Sequence, residues 1–265
     1  MPFSMLHPSR KDMITMTTYG KTDVGRVRES NQDCFRIETI GAFTLCVVCD
    51  GMGGAAGGST ASGTACEVFV REAAKGLEAA GSCCETYESV LRAALDAANR
   101  AVYSLANGDE SLAGMGTTLC AVLTDEKRFW GISVGDSRLY LFADGNILQL
   151  SHDHSYVQAL LDNGAITPEE SKNHPNKNII TRAVGTAEAV ECDSFVMDFT
   201  MDGLLICSDG LTNFVSDSEL NALFMQYTNP ERLAEKLIES ANAAGGADNI
   251  TAVLIRKQSP DGKEG

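Results

Sequence analysis

Four aspartates in this chain stand where an apolar run ends or a glycine turn begins. They are Asp33 in Arg28-Glu29-Ser30-Asn31-Gln32-Asp33, Asp50 in Cys49-Asp50-Gly51-Met52-Gly53-Gly54, Asp209 in Cys207-Ser208-Asp209-Gly210, and Asp248 in Gly246-Ala247-Asp248-Asn249. A fifth, Asp136, lies in Gly135-Asp136-Ser137-Arg138. Carboxylates at strand ends, with glycine turns beside them, can converge on one edge of a sheet where the backbone approaches closely. That arrangement suits hard, oxygen-loving cations such as Mg²⁺ or Mn²⁺. Clustered carboxylates also repel one another and raise each other's pKa, so the clustering itself implies a cation. Taken singly, an Asp-Gly pair is more often only a turn. Arg28 alone reads as a surface charge, and His152, His154 and His174 as solvated loop histidines. The combination carries the chemistry.

Short runs rich in β-branched and aromatic residues predict the strands that place these groups: Phe43–Cys49, Thr117–Leu123, Phe129–Val134, Arg138–Phe142, Ile147–Leu150, Leu204–Cys207 and Ile250–Ile255. Asp144-Gly145 predicts a hairpin turn. Apolar residues three and four apart predict a helix through Leu91, Ala94, Leu95, Ala98, Val102 and Leu105. A second helix carries Leu233, Leu237, Ile238 and Ala241 between Asn229-Pro230 and Gly245-Gly246. A third is expected from about Thr60 to Ala80. Clustered strands with separate helices argue α+β, helices packed outside sheets, and not a regular βαβ array. The polar stretch from Ser151 to Gly185 reads as a lid or binding loop with a short helix around Val157–Asn163. One domain is expected over residues 14–257, with 1–13 a disordered tail and 258–265 a second tail.

Composition narrows the partners. The chain has 265 residues, 44% of them hydrophobic, enough for a sizeable core. Its net charge of −15 opposes nucleic acid and anionic lipid, so neither is an expected partner. No apolar run has the length of a membrane span, and the first residues lack the apolar region of a secretory signal. A cytoplasmic protein is expected, monomeric by default. The nine cysteines fall mostly within apolar stretches and are expected as buried free thiols. Cys46-x-x-Cys49 has zinc-ligand spacing, yet on a strand the two side chains face opposite ways, and no second pair completes a site.

These segments, in their order, resemble the metal-dependent serine/threonine protein phosphatases of the PP2C type, particularly the bacterial members. The matching blocks are Thr22-Asp23-x-Gly25-x-x-Arg28-x-x-Asn31-Gln32-Asp33, Asp50-Gly51-Met52-Gly53-Gly54, Gly114-Met115-Gly116-Thr117-Thr118 and Val134-Gly135-Asp136-Ser137-Arg138. Asp153-His154-Ser155, His174-Pro175 with Thr181-Arg182-Ala183-Val184-Gly185, Ser208-Asp209-Gly210-Leu211 and Gly246-x-Asp248-Asn249-Ile250-Thr251 follow. The resemblance implies a sandwich of two antiparallel sheets flanked by pairs of α-helices, with a flap over Ser151–Gly185 beside the active site. It implies two to three Mn²⁺ or Mg²⁺ ions. Asp50 would bridge two of them, with the Gly51 carbonyl, Asp209 and Asp248 as further ligands and Asp136 with Asp209 at a third. Asp33 would act beside the pair, and Arg28 would grip the substrate phosphate; both are the implied catalytic residues. His174 and Arg182 are flap residues that either touch substrate or organise the loop.

The implied reaction is attack of a metal-bridging hydroxide on the phosphorus of phosphoserine or phosphothreonine in a protein, without a phosphoenzyme. The implied partners are such phosphoproteins, among them a Ser/Thr protein kinase that the enzyme would oppose. The chain departs from the family pattern at Ala55, where His is frequent, at Ser59, where an acidic residue is common, and at Gln32, where Glu often precedes the aspartate. A neutral Gln32 is expected to hold water near the metals less strongly. Bacterial members generally share Met52, so no general acid is named. Two alternatives are open on the sequence: a dinucleotide site imitated by Gly51-x-Gly53-x-x-Ala56, and a catalytically weak pseudophosphatase that binds phosphoproteins.

Overall fold

A computed structural model describes residues 16–80, 86–125, 127–172 and 174–258. The tails expected at 1–13 and 258–265 lie outside these residues except for Gln258. Among the described residues, eleven strands form two sheets. One has the order β1 (Met16–Asp23), β11 (Ile250–Lys257), β10 (Gly203–Cys207), β7 (Arg138–Ala143), β8 (Asn146–Gln149). The other runs β2 (Asp33–Ile40), β3 (Phe43–Met52), β5 (Leu119–Thr124), β6 (Arg128–Val134), β9 (Asp193–Asp198), with β4 (Gly116–Thr117) paired to the end of β3. Every pairing is antiparallel.

The central strands bury both faces, so their two-residue period sorts side chains between two cores. On β3, Cys46 and Val48 enter the layer between the sheets, where Val122, Leu141, Ile206 and Val253 meet them. Leu45, Val47 and Cys49 point the other way, under α1 (Gly54–Ala80) and α2 (Tyr87–Gly108). On the far side, Tyr140, Phe142, Leu205 and Leu254 pack beneath α5 (Asp209–Thr212), α6 (Asp217–Gln226) and α7 (Pro230–Ala243). Helices therefore cover both outer faces of a two-sheet sandwich, the expected α+β architecture. The split of Cys46 and Cys49 between two cores also removes any zinc site there. All cysteines among the described residues are free thiols.

Local chemistry fixes the ends of these elements. Asp144 (φ 50°) and Gly145 (φ 75°) both adopt left-handed backbone, the turn that matches strand twist in a two-residue hairpin. Ser216 and Glu219 form a reciprocal capping box at the start of α6. Asn229 caps α7 through the Arg232 N–H, with Pro230 at the first helical position. The first long helix begins at Gly54, six residues before the sequence places it, because glycines there permit close approach. A Cβ on Gly51 would lie 2.0 Å from the Gly58 carbonyl oxygen. Between β8 and β9, α3 (Tyr156–Asp162) and α4 (Pro168–Lys172) occupy the Ser151–Gly185 stretch.

Candidate metal centre and active site

Antiparallel pairing brings the five aspartates to one end of the sandwich. Asp33 opens β2 directly opposite Asp50 near the end of β3. Asp136 sits in the β6–β7 turn, Asp209 follows the end of β10, and Asp248 precedes β11. The backbone of Asp50 is pinned on both sides. Its N–H donates to Thr118 Oγ1 at 2.9 Å, and its carbonyl accepts from the Thr118 N–H at 2.9 Å and Thr117 Oγ1 at 2.8 Å. Thr118 Oγ1 is also 2.7 Å from Ser137 Oγ, which ties the Asp50 strand to the Asp136 turn.

The carboxylates strain against one another. Burial, then the charges of Asp33, Asp209, Asp136 and Asp248, push Asp50 well above the usual carboxylate range. Burial pushes Asp136 up to about 8, with Asp209 and Asp153 adding to it. Asp209 is raised by burial and Asp248, against hydrogen bonds from Asp50 and Asn213. Asp33 is pushed up to about 6 by burial, although Thr251 Oγ1 (2.6 Å) and Ser208 Oγ (2.7 Å) both donate to its Oδ2. Asp33 Oδ1 and Asp136 Oδ1 are buried with no hydrogen-bond partner. Unpartnered buried oxygens are costly, and all are hard-donor oxygens, so divalent cations fit this set. Among the described residues, no three His, Cys, Asp or Glu side chains close into a ready-made coordination shell. The structure shows a coupled acidic cluster.

Arg28 stands at the rim. Its Nη2 donates to Asp248 Oδ2 at 2.8 Å, and about half its side chain is exposed. A guanidinium has five donors, so this contact leaves others for an anion. Two further residues position this edge, and the motif reading assigned them no role. Asn249, 4% exposed, accepts the Gln32 N–H at Oδ1 (2.8 Å) and donates from Nδ2 to the carbonyls of Val24 (2.9 Å) and Ser30 (3.0 Å). It thereby closes the Arg28 loop against β11. Thr251 reaches both Asp33 and Thr22 Oγ1 (2.7 Å). Their signal in the sequence was adjacency to Asp248.

Gln32 lies beside the first turn of α1. Its Nε2 donates to the Gly54 carbonyl at 2.6 Å, a bond that a carboxylate cannot make. Of the flap residues, Arg182 pairs with Asp193 (3.4 Å) and Glu191 (3.7 Å), and His174 Nδ1 accepts the Asn176 N–H at 3.1 Å. The return of the flap is clamped by Asn99, which accepts the Gly185 N–H (2.7 Å) and donates to the carbonyls of Ala187 and Glu188. The dinucleotide alternative fails on topology. β3 is antiparallel to both neighbours, whereas the nucleotide-binding unit needs a parallel βαβ crossover.

The family model described as Protein phosphatase 2C matches residues 25–244. The chain belongs to the protein phosphatase 2C family. The serine/threonine phosphatase Stp of Listeria welshimeri is 38% identical over 239 residues, 89% of this chain and 94% of that protein. A solved bacterial serine phosphatase superposes with TM-score 0.85 at 34% identity, covering 93% of this chain and all of that one. The catalytic domain of the phosphatase PstP, solved with two manganese ions, superposes with TM-score 0.81 at 32% identity over 93% of this chain and all of that one. This phosphatase is a protein serine/threonine phosphatase, and its sheets and helices are those of the family. No helix among its described residues is long and apolar enough to cross a membrane.

Proposed function

We propose that the phosphatase hydrolyses phosphoserine and phosphothreonine in proteins with divalent cations, Mn²⁺ or Mg²⁺, held by Asp50, the Gly51 carbonyl, Asp209 and Asp248, and by Asp136 with Asp209. The observation that carries this is the coupled acidic cluster with buried, unpartnered oxygens on Asp33 and Asp136. Bound cations supply Lewis acidity toward water and toward phosphoryl oxygens. The chain's own part is positioning and charge. Arg28 offers its unengaged N–H groups to the phosphate, and a bidentate grip fits a planar guanidinium. Asp33, anchored through Oδ2 by two hydroxyls, keeps Oδ1 as the atom that can hold a proton beside the reacting group. The Thr117–Thr118 clamp keeps the Asp50 backbone fixed while charge redistributes, so little reorganisation accompanies the reaction. No cysteine is required as nucleophile: Cys46, Cys120 and Cys207 are fully buried, and burial holds all three thiols high.

The cellular proposal is reversal of a Ser/Thr kinase, on phosphoproteins of the same compartment or on the kinase itself, with residues 14–257 as one catalytic domain. The deciding experiment is hydrolysis of p-nitrophenyl phosphate and a phosphothreonine peptide with EDTA, Mg²⁺ or Mn²⁺, comparing wild type with Asp209→Ala. Cation-dependent turnover that collapses in the variant supports the reading. A wild type silent on both substrates with every metal overturns it and favours a phosphoprotein-binding module.

A further inference from the structure

His154 belongs to the flap, yet the reaction outlined above makes no use of its ring. The residue is 5% exposed. Its backbone N–H donates to the Gly135 carbonyl at 2.9 Å, and its carbonyl accepts the Thr181 N–H at 2.8 Å. Its ring Nδ1 accepts the Gly135 N–H at 3.1 Å. Main chain and ring thus grip both polar groups of one glycine. An accepting Nδ1 in a neutral imidazole leaves the proton on Nε2. That nitrogen lies 3.3 Å from Asp193 Oδ2, while Arg182 Nη1, 3.1 Å from the same nitrogen, donates to Asp193 Oδ1 at 3.4 Å. The Asp193 carboxylate therefore receives both the imidazole and the guanidinium.

Gly135 is the residue before Asp136. Its φ of 96° is left-handed, and a Cβ there would lie 2.6 Å from the Thr118 methyl. The turn is held by Thr118 on one side and by His154 on the other. We propose that His154 is a positioning residue for Asp136: by holding the Gly135 N–H it sets the turn that presents this carboxylate, and Asp193, which accepts the Nε2 proton and is itself held by Arg182, fixes the imidazole tautomer that makes the hold possible. His154 touches neither substrate nor reacting atoms; it acts through the Gly135 peptide. The inference rests on the reading that Asp136 holds a cation. It gives Arg182 a task in the flap that is independent of substrate.

Two near-isosteric variants separate the two ring contacts. In His154→Asn the side-chain oxygen falls near the Nδ1 position and can still accept from Gly135. In His154→Gln the amide reaches the Nε2 position and the Gly135 N–H loses its acceptor. Mn²⁺ titrations of the full chain by calorimetry are expected to give wild type and His154→Asn matching affinities at the weakest site. His154→Gln should weaken that site roughly tenfold, the scale of one unsatisfied buried donor, and leave tighter sites unchanged. Equal Mn²⁺ affinity in all three proteins, or His154→Asn weakened as much as His154→Gln, overturns the proposal. A second measurement needs no variant: ring ¹⁵N spectra of wild-type His154 should show a neutral imidazole protonated at Nε2, and protonation at Nδ1 overturns the proposal. A wild type that binds no Mn²⁺ removes the cation reading and this inference with it, whereas Mn²⁺ binding indifferent to His154 removes this inference alone.

Discussion

Replacing Asn249 with leucine removes three hydrogen bonds at once while nearly conserving volume. The Gln32 N–H and the carbonyls of Val24 and Ser30 lose their partner at a position that is 4% exposed. At about 1 kcal/mol for each bond, the loss is about 3 kcal/mol. For a chain of this size that lowers Tm by roughly 6–12 °C. The loop that loses its anchor carries Arg28 and leads into Asp33, so kcat/KM should fall on the order of 100-fold, the usual scale for an ångström of misplacement. Asn249→Asp is the sharper probe. It keeps the acceptor for Gln32 but turns the donor into a charged oxygen facing two carbonyls, beside Asp248. It should therefore be less stable than Asn249→Leu. Urea unfolding of wild type and both variants in EDTA gives the comparison. An Asn249→Asp protein within 1 kcal/mol of wild type (roughly the size of a single hydrogen bond) would refute the assignment of Nδ2 as donor and the anchoring role built on it.

Three further outcomes are expected. In EDTA, Tm should fall as pH rises from about 4 to about 8: the unfolded chain releases its carboxyl protons near 4, while the folded state keeps them to about 6 on Asp33 and about 8 on Asp136. The folded state then binds the extra protons, so its stability is lost as pH rises through those values. Saturating Mg²⁺ should abolish this slope, and a Tm in EDTA that climbs over this range would contradict the acidic-cluster account. Arg256→Met removes bonds to the carbonyls of Phe224 (2.8 Å) and Tyr227 (2.7 Å) and the guanidinium 3.9 Å over the Phe224 ring. It should cost about 2–3 kcal/mol by urea unfolding with kcat unchanged. Gly51→Ala should abolish Mn²⁺ binding in calorimetry, because its Cβ meets the Gly58 carbonyl at 2.0 Å, whereas Gly63→Ala, with nothing within 4 Å, should gain about 0.5–1 kcal/mol.

The strands that the sequence hides share one property. β1, β2 and β9 are all edge strands, where one side lacks a neighbour and the side chains are half exposed. Met16–Asp23 reads MTTYGKTD, with no apolar alternation to find. Phe43–Met52 and Ile250–Lys257 sit between two neighbours with both faces covered, and their continuous apolar runs are plain. The start of α1 was hidden for another reason: its glycines are poor helix formers, with Gly54 held in left-handed backbone (φ 73°), Gly57 set against Met115, and Gly58 against Gln32 and the Gly51 carbonyl of β3. α6 was findable, since Ser216-Asp217-Ser218-Glu219 is a capping box in sequence. For the site, the aspartates were legible as turn residues beside strands. The partners of Asp33, Ser208 and Thr251, lie more than 170 residues away, so only the fold shows that they share one carboxyl oxygen.

Strand β1 has a single neighbour, β11, and that neighbour is the last of the described strands to be synthesised. On the ribosome, Met16–Asp23 must wait unpaired until Ile250–Lys257 has been made. Asp248, two residues before β11, arrives equally late. The other sheet can begin to assemble from β2, β3, β5 and β6 without it, but the acidic cluster cannot. A nascent phosphatase is thus inert until β11 has emerged, and chains truncated before β11 should carry no activity toward the phosphoproteins around them. The same pairing places a slow, highly non-local contact of the fold beside the acidic cluster, so refolding should restore helical signal well before it restores turnover.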